Sequence, residues 1–127
     1  MSEEVTRRPL ALIIEDDDKL SVIYTEALRQ AMFETLAIYD GAKAVEQLRT
    51  IIPAVVVLDL HLPHVSGDEI LSQIRHDERF VQTKVIITTA DATQAGALQD
   101  SSDLILIKPI SFLQLRDLAT RLRAAIA

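Results

Sequence analysis

Apolar and polar positions along the chain repeat one phrase: a short apolar run, a polar corner, then a stretch with helical spacing. The apolar runs cover residues 10–14, 35–39, 54–60, 85–89 and 104–107, the second being the weakest. Three of them are nearly continuous and rich in β-branched residues, which suits strands buried on both faces of a parallel sheet. The mixed run at 35–39 fits an edge strand.

Amphipathic stretches lie between these runs. Leu20, Ile23, Tyr24, Ala27, Leu28 and Ala31 follow a three-four spacing, as do Ala44, Val45, Leu48 and Ile52. Ile70, Leu71 and Ile74 form a third stripe, and Leu115, Leu118, Leu122 and Ile126 a last one. Asp40 is placed to cap the second helix, and Ser66 with Glu69 and Ser111 with Gln114 have the spacing of a capping box. Pro53 and Pro109 mark ends of elements. The stretch 91–102 is different: its apolar content is mostly alanine, it contains Gly96, and it predicts a short, weakly held helix. Strands alternating with helices imply a parallel sheet with right-handed crossovers. The expected fold class is α/β, a flavodoxin-like, doubly wound five-stranded sheet of order 2-1-3-4-5 with helices on both faces. Residues 1–9 are expected to be a tail and 10–127 the domain. Strands one and three then adjoin at the switch point, and ligands of such folds bind beyond the carboxyl ends there.

Composition narrows the chemistry. At 127 residues, 49% hydrophobic and 25% charged, the chain has the makeup of one globular domain. It has no cysteine, which removes disulfides, thiolate zinc sites and cysteine nucleophiles. A net charge of −6 disfavours direct nucleic-acid binding, which needs clustered Lys and Arg. Four of the acids sit together at Glu15, Asp16, Asp17 and Asp18. No apolar run approaches the roughly 20 residues that span a bilayer, and residues 1–9 lack a signal-peptide core, so no membrane role and a cytoplasmic location are expected.

The acidic run follows the first predicted strand, and Asp59 ends the third. The fold would bring these carboxylates to one pocket, where each pair repels by about 1 kcal/mol in water and about 4 kcal/mol at a surface-like dielectric. A hard divalent cation such as magnesium relieves that repulsion. Asp17 and Asp18 read as helix caps or bystanders instead. Thr89 closes the fourth strand with a hydroxyl, and Lys108 follows the fifth with a cation. Phosphoryl transfer asks mainly for such positioning and charge stabilisation around a nucleophile, here an Asp carboxylate. The histidines at 61, 64 and 76 have no metal-ligand spacing and read as surface residues, and Gly67 reads as serving the turn into the third helix.

Five segments together resemble the receiver domains of two-component response regulators: Leu12-Ile13-Ile14-Glu15-Asp16-Asp17, Val57-Leu58-Asp59-Leu60-His61-Leu62-Pro63, Ser66-Gly67, Ile87-Thr88-Thr89-Ala90 and Lys108-Pro109. The resemblance implies that Asp59 is the phosphoacceptor, charged from a phosphohistidine on a sensor histidine kinase or histidine phosphotransfer protein. It implies Mg2+ held by Glu15, Asp16, Asp59 and the His61 backbone carbonyl, with Thr89 and Lys108 on phosphoryl oxygens and a cis bond before Pro109. Such a domain is not a conventional enzyme but assists its own phosphorylation and dephosphorylation, then signals to a downstream protein target.

Two features depart from the family pattern. The aromatic expected three residues before Lys108 is Ile105, so the usual inward turn of an aromatic behind the threonine has no side chain to carry it. The readout is expected to pass instead to residues 91–102. His61 and Asp91 stand where the family tunes phosphoryl lifetime. Rival readings fare worse. A haloacid-dehalogenase-like phosphatase needs a second Asp where His61 stands, and a flavodoxin-type carrier needs a Ser/Thr/Gly phosphate loop where the acidic run stands. The alternative that remains is a receiver-fold binding module acting without phosphorylation.

Overall fold

The computed structural model describes residues 7–126, and five strands and five helices alternate through it. The strands are β1 (Leu10–Ile14), β2 (Glu34–Ile38), β3 (Val55–Asp59), β4 (Lys84–Thr89) and β5 (Leu104–Ile107). The helices are α1 (Asp18–Gln30), α2 (Gly41–Leu48), α3 (Gly67–Arg75), α4 (Ala92–Ala97) and α5 (Phe112–Ala125). All strands are parallel, in the order β2-β1-β3-β4-β5, as the alternating pattern predicts.

The sheet has a packed core on each face. Ala11, Ile13, Val55, Val57 and Ile86 meet Tyr24, Ala27 and Leu28 of α1 and Leu115 and Ala119 of α5. Leu12, Ile14, Val56, Leu58 and Ile87 meet Ala44 and Leu48 of α2 and Ile70, Leu71 and Ile74 of α3. Every residue of β3 is buried, because the strand is central and covered on both sides. Burying each such Val, Leu or Ile contributes about 1.5–3 kcal/mol against leaving it exposed.

Several expectations need correcting. β2 begins one residue earlier than its apolar run, and Tyr39 lies beyond it, exposed. Ile23 and Ile52 are exposed, since α1 buries Ser21 in its stripe and α2 stops at Leu48. Asp17, Asp40 and Ser111 accept the expected cap bonds, but the Ser66 side chain makes none, so the box with Glu69 does not form. The stretch 91–102 shrinks to six helical residues with only Ala95 buried. The Lys108–Pro109 bond is cis, as the resemblance implies.

Candidate functional site

Parallel strands all deliver their carboxyl ends to one edge, so the residues closing β1, β3, β4 and β5 share it. β1 and β3 are paired, with Ile14 opposite Leu58, so Glu15 and Asp59 each emerge one residue past that pair. Glu15 is fixed there by its backbone N–H, which donates to the Ile38 carbonyl at 3.0 Å. Carboxylate oxygens of Glu15, Asp16 and Asp59 all lie within 4.8 Å of one another. Glu15 and Asp59 are buried, at 1% and 3% exposure, while Asp16 is exposed. The cluster is therefore open on one side.

Two buried acids need compensation, and Lys108 supplies it from the far strand. Its Nζ stands 3.0 Å from Glu15 Oε1 and 3.4 Å from Asp59 Oδ2. The Asp17 backbone N–H donates to Glu15 Oε2 at 3.1 Å, and the His61 N–H donates to Asp59 Oδ1 at 3.0 Å. Burial nevertheless pushes Glu15 up to about 7 from an ordinary 4.5, with Asp59 adding to the rise and the Asp17 N–H and Lys108 opposing it. Burial also works against the Lys108 charge, but its bond to Glu15 and the charges of Asp59 and Glu15 prevail, and its pKa is raised.

Gly67 is what lets this edge close. A methyl group there would lie 2.2 Å from the Asp59 carbonyl oxygen and 2.5 Å from Leu60 Cα, both backbone atoms. Its φ is not positive, so its role is close approach rather than the turn read from the sequence. Its N–H donates to the Leu60 carbonyl at 3.0 Å, pinning the start of α3 beside the acid.

Thr89 is fully buried at the end of β4, and its hydroxyl accepts the Asp91 N–H at 3.0 Å. Asp91 in turn caps α4, accepting from Thr93 and Gln94. The structure thus brings Glu15, Asp16, Asp59 and Lys108 together and sets Thr89 on the adjacent strand, tied to α4. Sequence reasoning missed the far end of that segment. Arg75 of α3 donates to the Ser101 carbonyl at 2.7 Å, the Thr83 carbonyl at 3.1 Å and the Asp103 carboxylate at 2.9 Å, clamping the region past α4. An Arg at the end of α3 carries no local signal for partners so distant in sequence.

Comparison with known proteins agrees with this geometry. Residues 11–120 match the family model for the response regulator receiver domain. The chain belongs to that family. It is similar over 92 residues, 72% of its length at 33% identity, to the hybrid signal transduction histidine kinase D of Dictyostelium discoideum. That match covers only 6% of the kinase. The DNA-binding response regulator MtrA of Mycolicibacterium smegmatis is 29% identical over 94% of this chain, which spans 51% of MtrA. This receiver therefore spans about half of MtrA's length and a far smaller share of the kinase's. Among solved structures, the chemotaxis response regulator CheY4 of Vibrio cholerae superposes with a TM-score of 0.82 at 18% identity, covering 91% of this chain and 99% of CheY4. The receiver domain of the Francisella response regulator 1452 reaches 0.81 at 27% identity, covering 93% and 98%. No helix among the described residues is long and apolar enough to cross a membrane.

Proposed function

We propose that this receiver is switched by phosphorylation of Asp59, taking its phosphoryl group from a phosphohistidine on a sensor kinase or phosphotransfer protein and signalling to a downstream protein target. Residues 10–127 would be the functional unit, preceded by a tail and acting in the cytoplasm. The observation that carries the reading is the meeting of three carboxylates within 4.8 Å beside a single ammonium. A purely structural domain gains nothing from burying two acids against one lysine, since the desolvation cost of such a group commonly exceeds its Coulombic return.

The donor set is all oxygen and carries more negative charge than Lys108 neutralises, which fits a hard cation such as Mg2+. Glu15, Asp16, Asp59 and the His61 carbonyl would hold it, and when bound it would neutralise charge on the phosphoryl oxygens. The rest is done by the chain. The His61 N–H fixes one oxygen of Asp59 and so orients the carboxylate plane. An Asp59 oxygen attacks phosphorus, the new O–P bond forms as the P–N bond breaks, and the imidazole leaves with that electron pair. Lys108, 3.4 Å from Asp59 Oδ2, would trade Glu15 for a phosphoryl oxygen, and Thr89, at the end of the neighbouring strand, would turn its hydroxyl towards another. Hydrolysis of the aspartyl phosphate by water returns the domain to its starting state.

Incubation with Mg2+ and acetyl phosphate tests the reading by mass spectrometry. One phosphoryl group should add to the native chain, none to Asp59→Ala, and none to the native chain in EDTA. An unmodified native chain would favour the binding-module alternative, for which Ile105 in place of an aromatic is the one supporting feature.

The structure also gives Ile105 a consequence. It is half-buried and packs with Leu98 against the α2/α3 core, leaving no ring to follow Thr89. The remaining link is the Thr89–Asp91 bond to the start of α4, while Arg75 holds the other end. A Thr89 hydroxyl drawn to the phosphoryl group releases the Asp91 N–H and loosens α4 from its capped end. Amide exchange across residues 92–98 should rise several-fold on phosphorylation, as expected of a short element with little buried surface. Equal protection in the two states would refute this route.

A further inference from the structure

The loop joining β3 to α3 carries both Asp59's successor carbonyls and a histidine in an unusual conformation. His64 has a φ of 71°, left-handed backbone that a non-glycine residue rarely adopts. Its ring Nδ1 meets Asp40 Oδ2 at 2.5 Å. The other Asp40 oxygen, Oδ1, caps α2 by accepting from Ala42 at 2.7 Å and Lys43 at 3.1 Å. Those cap bonds and His64 hold Asp40 below the usual carboxylate range. Beside this pair the Gly41 N–H donates to the Pro63 carbonyl at 3.1 Å, and a methyl on Gly41 would stand 1.8 Å from the Val65 carbonyl oxygen. The loop is thus pressed onto the start of α2 at a point with no room for a side chain.

We infer that His64 and Asp40 form a latch that positions the β3–α3 loop, and through it the His61 carbonyl, for the divalent cation; this rests on the function proposed above. Three features support it. Among the described residues, His64–Asp40 is the only side-chain hydrogen bond from loop residues 62–66 to another element. Only two residues, Leu62 and Pro63, separate His64 from His61, and Pro63, with its fixed φ, restricts the backbone between them. The strained φ at His64 persists only because the surroundings over-determine it. His64 does not touch the reacting atoms. It is a positioning residue, and it restrains a ligand carbonyl as outer partners do in metal sites.

The test uses His64→Gly, which keeps the left-handed backbone and loses the ring, and Asp40→Ser, which keeps a good cap but is too short to reach His64. Titration calorimetry of the full chain with Mg2+ should show each single variant weakened about tenfold, in the range seen when outer partners of metal ligands are lost. The double variant should be no weaker than either single one, because both remove the same interaction. Acetyl phosphate labelling should slow at low Mg2+ and return to the native rate at saturating Mg2+, whereas general damage to the fold would lower the saturated rate. Without metal, exchange of the Gly41 amide should quicken in both variants while their melting temperatures stay within a few degrees of native. Native Mg2+ affinity in the two variants, or additive losses in the double, would overturn the latch alone. A native chain that takes up no Mg2+ would overturn the latch together with the function it serves.

Discussion

Gly67→Ala is expected to cost this domain about 2–3 kcal/mol and most of its capacity to be phosphorylated. The added methyl meets the Asp59 carbonyl oxygen at 2.2 Å and Leu60 Cα at 2.5 Å, and neither atom can rotate away as a side-chain tip would. Overpacking against fixed atoms typically costs about 1–3 kcal/mol, occasionally more. Alanine regains up to about 1 kcal/mol because glycine is the poorer helix former. The clash prevails because relief requires sliding α3 away from β3, which also breaks the Gly67 N–H bond to Leu60 and disturbs packing of Ile70 and Leu71. Sliding α3 shifts the backbone of Asp59 itself, and a displacement of about 1 Å at a reacting group can cost a hundredfold in rate. Urea unfolding and acetyl phosphate labelling together check this. A variant with native stability and native labelling would show that the close approach is immaterial.

Magnesium affinity should rise steeply with pH up to about 7 and then level off. Glu15 is pushed up to about 7 by burial, and a carboxyl must lose its proton before it can bind a cation. Below that point each pH unit should weaken Mg2+ by up to about tenfold, so about fiftyfold separates pH 5 from pH 7, where half of Glu15 is ionised. The same shift acts on the metal-free fold with a definite sign. A carboxyl whose folded pKa is raised holds its proton more tightly in the native state, so its contribution to stability is complete below about 4.5 and is lost as pH rises through about 7. Metal-free protein should therefore weaken across that window, and Mg2+ should restore it most at the upper end. Calorimetric titrations from pH 5 to 8, with melting curves in EDTA, measure both. A flat profile, or one that Glu15→Gln leaves unaltered, would remove Glu15 from the binding set.

The signals that worked were those set by local chemistry. Residues 54–60 read as a buried central strand because continuous Val and Leu has no other stable place. Asp40 and Ser111 read as caps because a short polar side chain before a helix satisfies orphan N–H groups, and both do so. Ser66 carries the same local signal, yet its side chain accepts no cap bond. The local pattern identifies a candidate; the packing around it decides whether the bond forms.

By itself, the order of residues determined the five β-α repeats, the parallel sheet and the ends of strands where Glu15, Asp16, Asp59, Thr89 and Lys108 stand. Periodicity, which depends only on the identity and spacing of neighbours in the chain, gives the repeats, and the rule that alternating strands and helices form a parallel sheet gives the rest. Only the tertiary structure decided how Lys108 divides itself between Glu15 and Asp59, why Gly67 must lack a side chain, and that Arg75 and His64 reach partners on other elements. Those depend on distances between residues far apart in the sequence, where a difference of an ångström separates a hydrogen bond from none.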